Sequence, residues 1–429
     1  MNLESIDSNK VNKHQRAKIL QQFGANPEEI EELLAYNQNV FVRDNLDCSL
    51  QFPLPSEPHL VVWQEYVERA KTDGAWSTLQ NALVQLKFPI QASISQTVAY
   101  RQATRKGIKP NVTTGSLQQP EALQLTIHQS LAGKIPVLLT TNRDDFVSLV
   151  RAITKRNEPI DIPDSMGACM VAGYNNWDRI HRHRQQWSVD NPDAELAWSA
   201  EFKRLTARKE LYQDRFIILS DGFYSNVRPE KLGLTEAQWR RLSLTIRLEH
   251  ECTHYFTRRV FNSMRNNLLD EFIADYQGIV AATGSYKADW FLRFMGLESF
   301  PLYREGGRLQ NYRGQLSDGA FTILQRLVKS AAENLEDFDC NYAQQLSKGD
   351  SLKDSLLTKV VRGTKGLPAC DPQDHTFALR IARFAPTQDR TMMLMALASL
   401  TIEELASPRM GDRIQQIVEQ LQTQLITNH

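Results

Sequence analysis

The stretch LTEAQWRRLSLTIRLEHECTHYFTRRVFN, residues 234–262, decides how this chain is read. Thr235 followed three positions later by Gln238 is a capping-box pattern, in which each side chain bonds the other residue's backbone N–H. Leu242, Ile246, Leu248 and Val260 supply apolar positions beyond it, so one long helix is predicted. Side chains four apart on a helix share a face, so His250 and His254 project side by side and can meet one metal ion. Glu251 is turned about 100° from His250. There it can reach a water on that metal without being a ligand.

Two imidazoles do not close a metal site, because a catalytic zinc takes three protein ligands and leaves a fourth position open. The next candidates lie in NNLLDEFIADYQGIVAATG, residues 266–284. Asn267 is placed to cap a second helix and Gly284 to end it. Glu271 and Asp275 are four apart and share a face of that helix. Glu271 is the third ligand in this reading. Asp275 would accept the remaining ring N–H of a ligating histidine and fix its orientation. Asp270 points about 100° away from Glu271 and is the weaker ligand candidate.

His250-Glu251-Cys252-Thr253-His254 followed by Glu271-Phe272-Ile273-Ala274-Asp275 resembles the gluzincin group of zinc metallopeptidases. The resemblance covers about 40 residues, with RFIILSD (215–221) as a possible addition. It implies a zincin-like catalytic core, a zinc ion on His250, His254 and Glu271, and hydrolysis of a peptide or amide bond. Glu251 is then the general base that later protonates the leaving amine. Asp275 is the residue supporting a histidine. The strand before the active-site helix would line the substrate cleft. An oxyanion donor from further along the chain is also implied, and Tyr303, Tyr312 and His375 are the downstream candidates. The sequence departs from the pattern in the short gap between His254 and Glu271.

A second reading belongs to another class. The two histidines can be satisfied by hydrogen bonds, with Arg247, Glu249 and Glu251 as a charged face, in a helical binding or scaffold protein whose metal site is structural or vestigial. The two readings part at Glu251 and at the fourth position. A structural site closes with a fourth protein ligand, such as Cys169 or His375, and has no use for a carboxylate beside an open position.

The chain has 429 residues, 41% hydrophobic and 23% charged, and its 50 basic and 50 acidic residues give a formal net charge of +0. Balanced charge offers no electrostatic reason to expect nucleic acid or an anionic membrane surface as partner. No run of about 18 apolar residues is present, so no bilayer span is predicted. MNLESIDSNKVNKHQRAKIL lacks the apolar region of a secretory leader. Cys48, Cys169, Cys252, Cys340 and Cys370 are scattered, which argues against a disulfide framework or a thiolate zinc cage. A cytoplasmic protein is expected.

Outward from the centre, the patterning predicts helices around 15–45 and 60–87, with Asn26 and Pro27 opening one of them. Residues 88–120 read as polar and turn-prone. IPVLLTT (135–141) and RFIILSD read as strands, and 157–177 as a structured loop with a short strand. The remainder from about 300 is mainly helical. The fold class is therefore helix-rich α+β, with an N-terminal helical region (1–130), a catalytic core (131–300) and a C-terminal helical region (301–429). WDRIHRHRQQW (177–187) reads as a solvated basic helix face. SDGFYSNVRPE (220–230) reads as a turn, or as one wall of a cleft.

Overall fold

The structure, a computed structural model, describes residues 3–41, 50–111, 113–191, 194–264, 267–349 and 388–427. His375, Cys48 and Cys370 lie outside the described residues. It is helix-rich with one small mixed sheet, which is the α+β class expected. By its contacts the chain forms two units, residues 51–259 and residues 1–50 with 260–429. These limits do not follow the chain-order divisions at 130/131 and 300/301.

Residues 51–259 carry the sheet. Helices α1 (Leu3–Gln22) and α2 (Pro27–Tyr36) precede this unit; α3 (Leu60–Asp73), α4 (Ala75–Ala82) and α5 (Val98–Lys106) open it. Then come β1 (Gln124–Ser130), β2 (Gly133–Thr140), α6 (Arg143–Thr154), β3 (Ala168–Asn175), α7 (Trp177–Asp190), α8 (Ala194–Thr206), β4 (Gln213–Ser220) and α9 (Glu236–Val260). Among the described residues the strand order is β1-β2-β4-β3. β1 and β2 form an antiparallel hairpin, β2 runs parallel to β4, and β3 pairs antiparallel with β4 through a bulge between Val171 and Tyr174.

The strand before the long helix, β4, is interior: Ile217 to Ser220 pair with β2, while Gln213 to Leu219 pair with β3. Over Ile217–Leu219 it is paired on both sides, so that stretch cannot take a further strand. The free edges belong to β1 and β3. β1 lies within the 1–130 stretch expected to be helical, where the alternation of QLTIHQS follows the two-residue period of a strand. α5 likewise lies in a stretch read as turns, where Thr97 caps it and Gly107 ends it in the left-handed region.

One sheet face is covered by α3, α4 and α6. Trp63, Tyr66, Leu79, Phe146, Leu149 and Val150 pack there against Leu125, Leu138, Val171, Phe216 and Ile218. Successive strand side chains alternate between faces. His128 and Ser130 of β1 therefore point the other way, and on that side they meet Glu249 and Cys252 of α9.

The second unit is helical. It contains α1, α2, α10 (Leu268–Thr283), α11 (Ala288–Met295), α12 (Asp318–Gly349), α13 (Gln388–Leu397), α14 (Ile402–Ala406) and α15 (Met410–Thr427). The capping box Asn26–Glu29 starts α2 as the sequence predicts. The N-terminal helices belong with the C-terminal ones because their partners lie there. Glu403 of α14, fully buried, accepts from Arg16 and from Asn37, each at 3.1 Å, and Glu32 accepts from the Ser317 N–H at 2.9 Å. Asp339 of α12 accepts from the Tyr276 hydroxyl and the Tyr286 N–H, each at 2.8 Å. No helix among the described residues is long and apolar enough to cross a membrane.

Candidate metal centre

The long helix begins where its cap predicts. The Thr235 N–H donates to Gln238 at 2.9 Å and the Gln238 N–H to the Thr235 hydroxyl at 3.3 Å. Two stripes of α9 then do different work. Glu249, Cys252, Phe256 and Arg259 form the stripe against the β1–β2 hairpin and the segment before α3. His128 sits 3.0 Å from Glu249, Cys252 is bonded to Ser130, the Phe256 ring lies 5.7 Å from Phe52, and Arg259 binds the carbonyls of Pro55 (2.8 Å) and Ala132. Cys252 is thus packing beside a β-hairpin, although it stands between the two histidines in sequence. Its burial pushes the thiol far up, helped by the Glu249 and Glu251 charges, so it stays protonated.

The opposite stripe is Trp239, Ser243, Arg247, His250 and His254, at steps of three and four residues. Its first three members hold the loop that follows β4. The Trp239 ring N–H donates to the Val227 carbonyl at 2.7 Å, and the Ser243 hydroxyl accepts from the Tyr224 N–H at 3.0 Å. The Arg247 guanidinium donates to the carbonyls of Ser220 (3.2 Å), Gly222 and Phe223 (2.7 Å). Its burial lowers Arg247 to about 10, still charged at neutral pH. The last two members are the predicted pair. Their Nε2 atoms stand 3.1 Å apart with ring centroids at 4.7 Å, and His250 Nδ1 is 3.0 Å from the Tyr224 hydroxyl.

In the helical unit, Asn267 caps α10 by accepting from the Asp270 N–H at 2.9 Å, and Gly284 ends the helix in the left-handed region. Glu271 and Asp275 are both buried on this helix. They face two residues that are also four apart, on the short 3₁₀ turn Arg308–Tyr312. Asp275 is ion-paired to Arg308. Tyr312 is hydrogen-bonded through its hydroxyl to Glu271. Burial pushes the Tyr312 phenol far up; the Arg308 charge opposes this and the Glu271 carboxylate adds to it.

The three oxyanion candidates therefore separate. Tyr312 lies on the predicted ligand Glu271. Tyr303 closes its own loop, donating to the Gly307 carbonyl at 2.6 Å and accepting from the Gln310 N–H at 3.0 Å. His375 is outside the described residues. Asp270 is fully buried but does not join the ligand group below.

One ligand atom each from His250, His254 and Glu271 lies within 4.8 Å of the others. Their residues keep only 6%, 5% and 6% of their surface, so water cannot solvate them freely. Two imidazoles and a carboxylate are the donor set of a first-row divalent ion. The residues fit the ion on that ground. Among the described residues no fourth His, Cys, Asp or Glu joins the group, and Glu251, buried beside His250, stays outside it. Cys169, considered as a sealing ligand, is absent from it too. Burial, then the Glu251 charge, raise its thiol to about 12.

The basic segment 177–187 proves to be structural. Asn176 caps α7 and donates to Asp214 at 2.6 Å, and Arg179 is a buried ion pair with Asp214 at 2.6 Å. The Trp177 ring N–H donates to the Thr104 carbonyl at 2.8 Å, and His181 meets the Gly107 carbonyl at 2.9 Å. The solvated face expected is met at Arg184, Gln185 and Gln186, which are exposed, while half-buried Arg182 pairs with Asp178 and Glu65.

Fold and site together describe an α+β protein with a buried His-His-Glu cluster. Over residues 18–362 the chain matches the family described as "Family of unknown function (DUF7005)", and it belongs to that family. No curated protein and no solved structure matched.

Proposed function

We propose that this protein is a zinc-dependent hydrolase, a metallopeptidase of gluzincin type, acting on a peptide or amide bond. The observation that carries the reading is the convergence of His250, His254 and Glu271 within 4.8 Å, with no fourth candidate ligand among the described residues. Three ligands and an open position are the arrangement of catalytic rather than structural zinc. The scaffold alternative gains nothing from this arrangement.

In this reading the two imidazoles and the Glu271 carboxylate hold the ion. A zinc ion bound there supplies a Lewis acid that polarises a carbonyl and acidifies water. Glu251 takes the proton from the attacking water and delivers it to the leaving amine. The low exposure around Glu251 keeps bulk water from competing for that proton. A zincin-like core is part of this reading, supported by the capped histidine helix that follows strand β4 and packs on one sheet face.

The test is metal content by mass spectrometry, with peptidase activity alongside. Wild type should carry about one zinc per chain. His254→Ala and Glu271→Ala should lose it. Glu251→Gln should keep the metal and lose turnover by several orders of magnitude. Wild-type protein without metal, or both ligand variants retaining it, would sink the proposal.

A further inference from the structure

Tyr224 has no place in the ligand set, yet the β4–α9 loop is built around it. The residue is buried, keeping 5% of its surface, and its N–H is held by Ser243. The Arg247 guanidinium grips the carbonyls just before it and lies 5.8 Å from its ring centre. The two residues after it, Ser225 and Asn226, both have positive φ, 51° and 54°. Asparagine tolerates the left-handed region, but serine does not favour it. Such a bend persists only where the surroundings over-determine it. Here Trp239 draws the Val227 carbonyl back to the helix immediately after the bend. Three residues on the histidine stripe of α9 thus hold one loop in a strained turn, and the turn places the Tyr224 hydroxyl 3.0 Å from His250 Nδ1.

Resting on the metal reading above, we propose that Tyr224 is the positioning residue of the site. Its oxygen accepts the Nδ1–H of His250, which makes Nε2, facing His254, the nitrogen whose lone pair can ligate a metal. A histidine ring has one proton to place when neutral, and the partner at one nitrogen decides which nitrogen can ligate. The Nε2–Nε2 separation of 3.1 Å requires one ring to donate and the other to accept, and in the proposed tautomer His254 is the donor in the metal-free protein.

The test combines two measurements on the full chain. Long-range ¹⁵N–¹H spectra of metal-free wild type, with ¹⁵N-labelled histidine and His250 identified by its loss in His250→Gln, should show His250 protonated at Nδ1. This needs no Tyr224 variant and does not depend on metal. Chelator competition should show the zinc Kd rising about 10–100-fold in Tyr224→Phe. Tyr66→Phe is the control: it removes another buried hydroxyl, bonded to Asp178 at 2.7 Å on the opposite side of the sheet, and should leave Kd unchanged. His250 protonated at Nε2, or a Tyr224→Phe Kd equal to wild type, overturns the assignment of Tyr224 alone. Wild type that takes up no zinc overturns the metal reading and this inference with it.

Discussion

His59 shows how a single buried side chain sets a pH limit. It keeps 2% of its surface, and burial, with the Arg179 and Arg215 charges adding, lowers it from 6.5 to about 3. Between those values the folded ring stays neutral while the unfolded chain takes up a proton. The stability is therefore full above pH 6.5 and is lost as pH falls toward 3, at about 1.4 kcal/mol per pH unit for this group. By pH 5 the loss from His59 is about 2 kcal/mol. Urea denaturation at pH 7 and pH 5 checks this. His59→Gln should lose about 2 kcal/mol less than wild type over the same interval, and equal losses would rule His59 out as the cause. Arg179 is a second case at this scale. Its sequence neighbours suggest solvent, and its partner Asp214 lies 35 residues away, so nothing local announces the buried pair.

At the scale of elements, the loop between β4 and α9 depends on a glycine outside it. Gly167 lies directly against the Arg247 guanidinium, and a Cβ there would overlap it. Its carbonyl meanwhile accepts from the Ser220 N–H at 2.8 Å, so the backbone cannot simply withdraw. Gly167→Ala should push Arg247 off the loop carbonyls and cost about 1–3 kcal/mol. If the loop orients Tyr224 as argued, the same variant should weaken zinc binding, readable by chelator competition at a temperature where the protein remains folded. A destabilised variant with unchanged zinc affinity would separate the loop from the metal site. The capped ends of α9 and α10 needed no such long-range help. Thr235–Gln238, Asn267 and Gly284 are local signals, and the helices begin and end on them.

For the whole molecule, metal binding and stability are linked. An ion that binds only the folded chain stabilises it by about 2.7 kcal/mol when present at 100 times its Kd. Removing zinc with a chelator should lower the wild-type melting temperature by a few degrees, and adding it back should restore the loss. His254→Ala should melt at one temperature with or without zinc. A zinc shift that survives in His254→Ala would place the effect at another site. The division into residues 51–259 and the two terminal segments also belongs to this scale. Chain order suggested three consecutive regions, but Glu403 and Ser317 give the N-terminal helices their partners more than 280 positions away.

The sequence by itself determined what depends on near neighbours: the capped helices, the shared face of His250 and His254, the four-residue spacing of Glu271 and Asp275, and the strand character of the β2 and β4 segments. These are properties of a 3.6-residue or 2-residue period, and they are complete within a few turns of chain. Only the tertiary structure decided that β4 lies between two strands, that Asp275 pairs with Arg308, that Arg179 is buried, and that Tyr224 meets His250. Each of these joins residues 26 to 35 positions apart or depends on strand order. A partner at that distance leaves no periodic trace, because which side chain arrives is set by how the elements pack. Tyr224 carried one faint signal, its place in an unusual turn after the clearest strand. The turn could be read from SDGFYSNVRPE, but its purpose became visible only once α9 was seen to hold it.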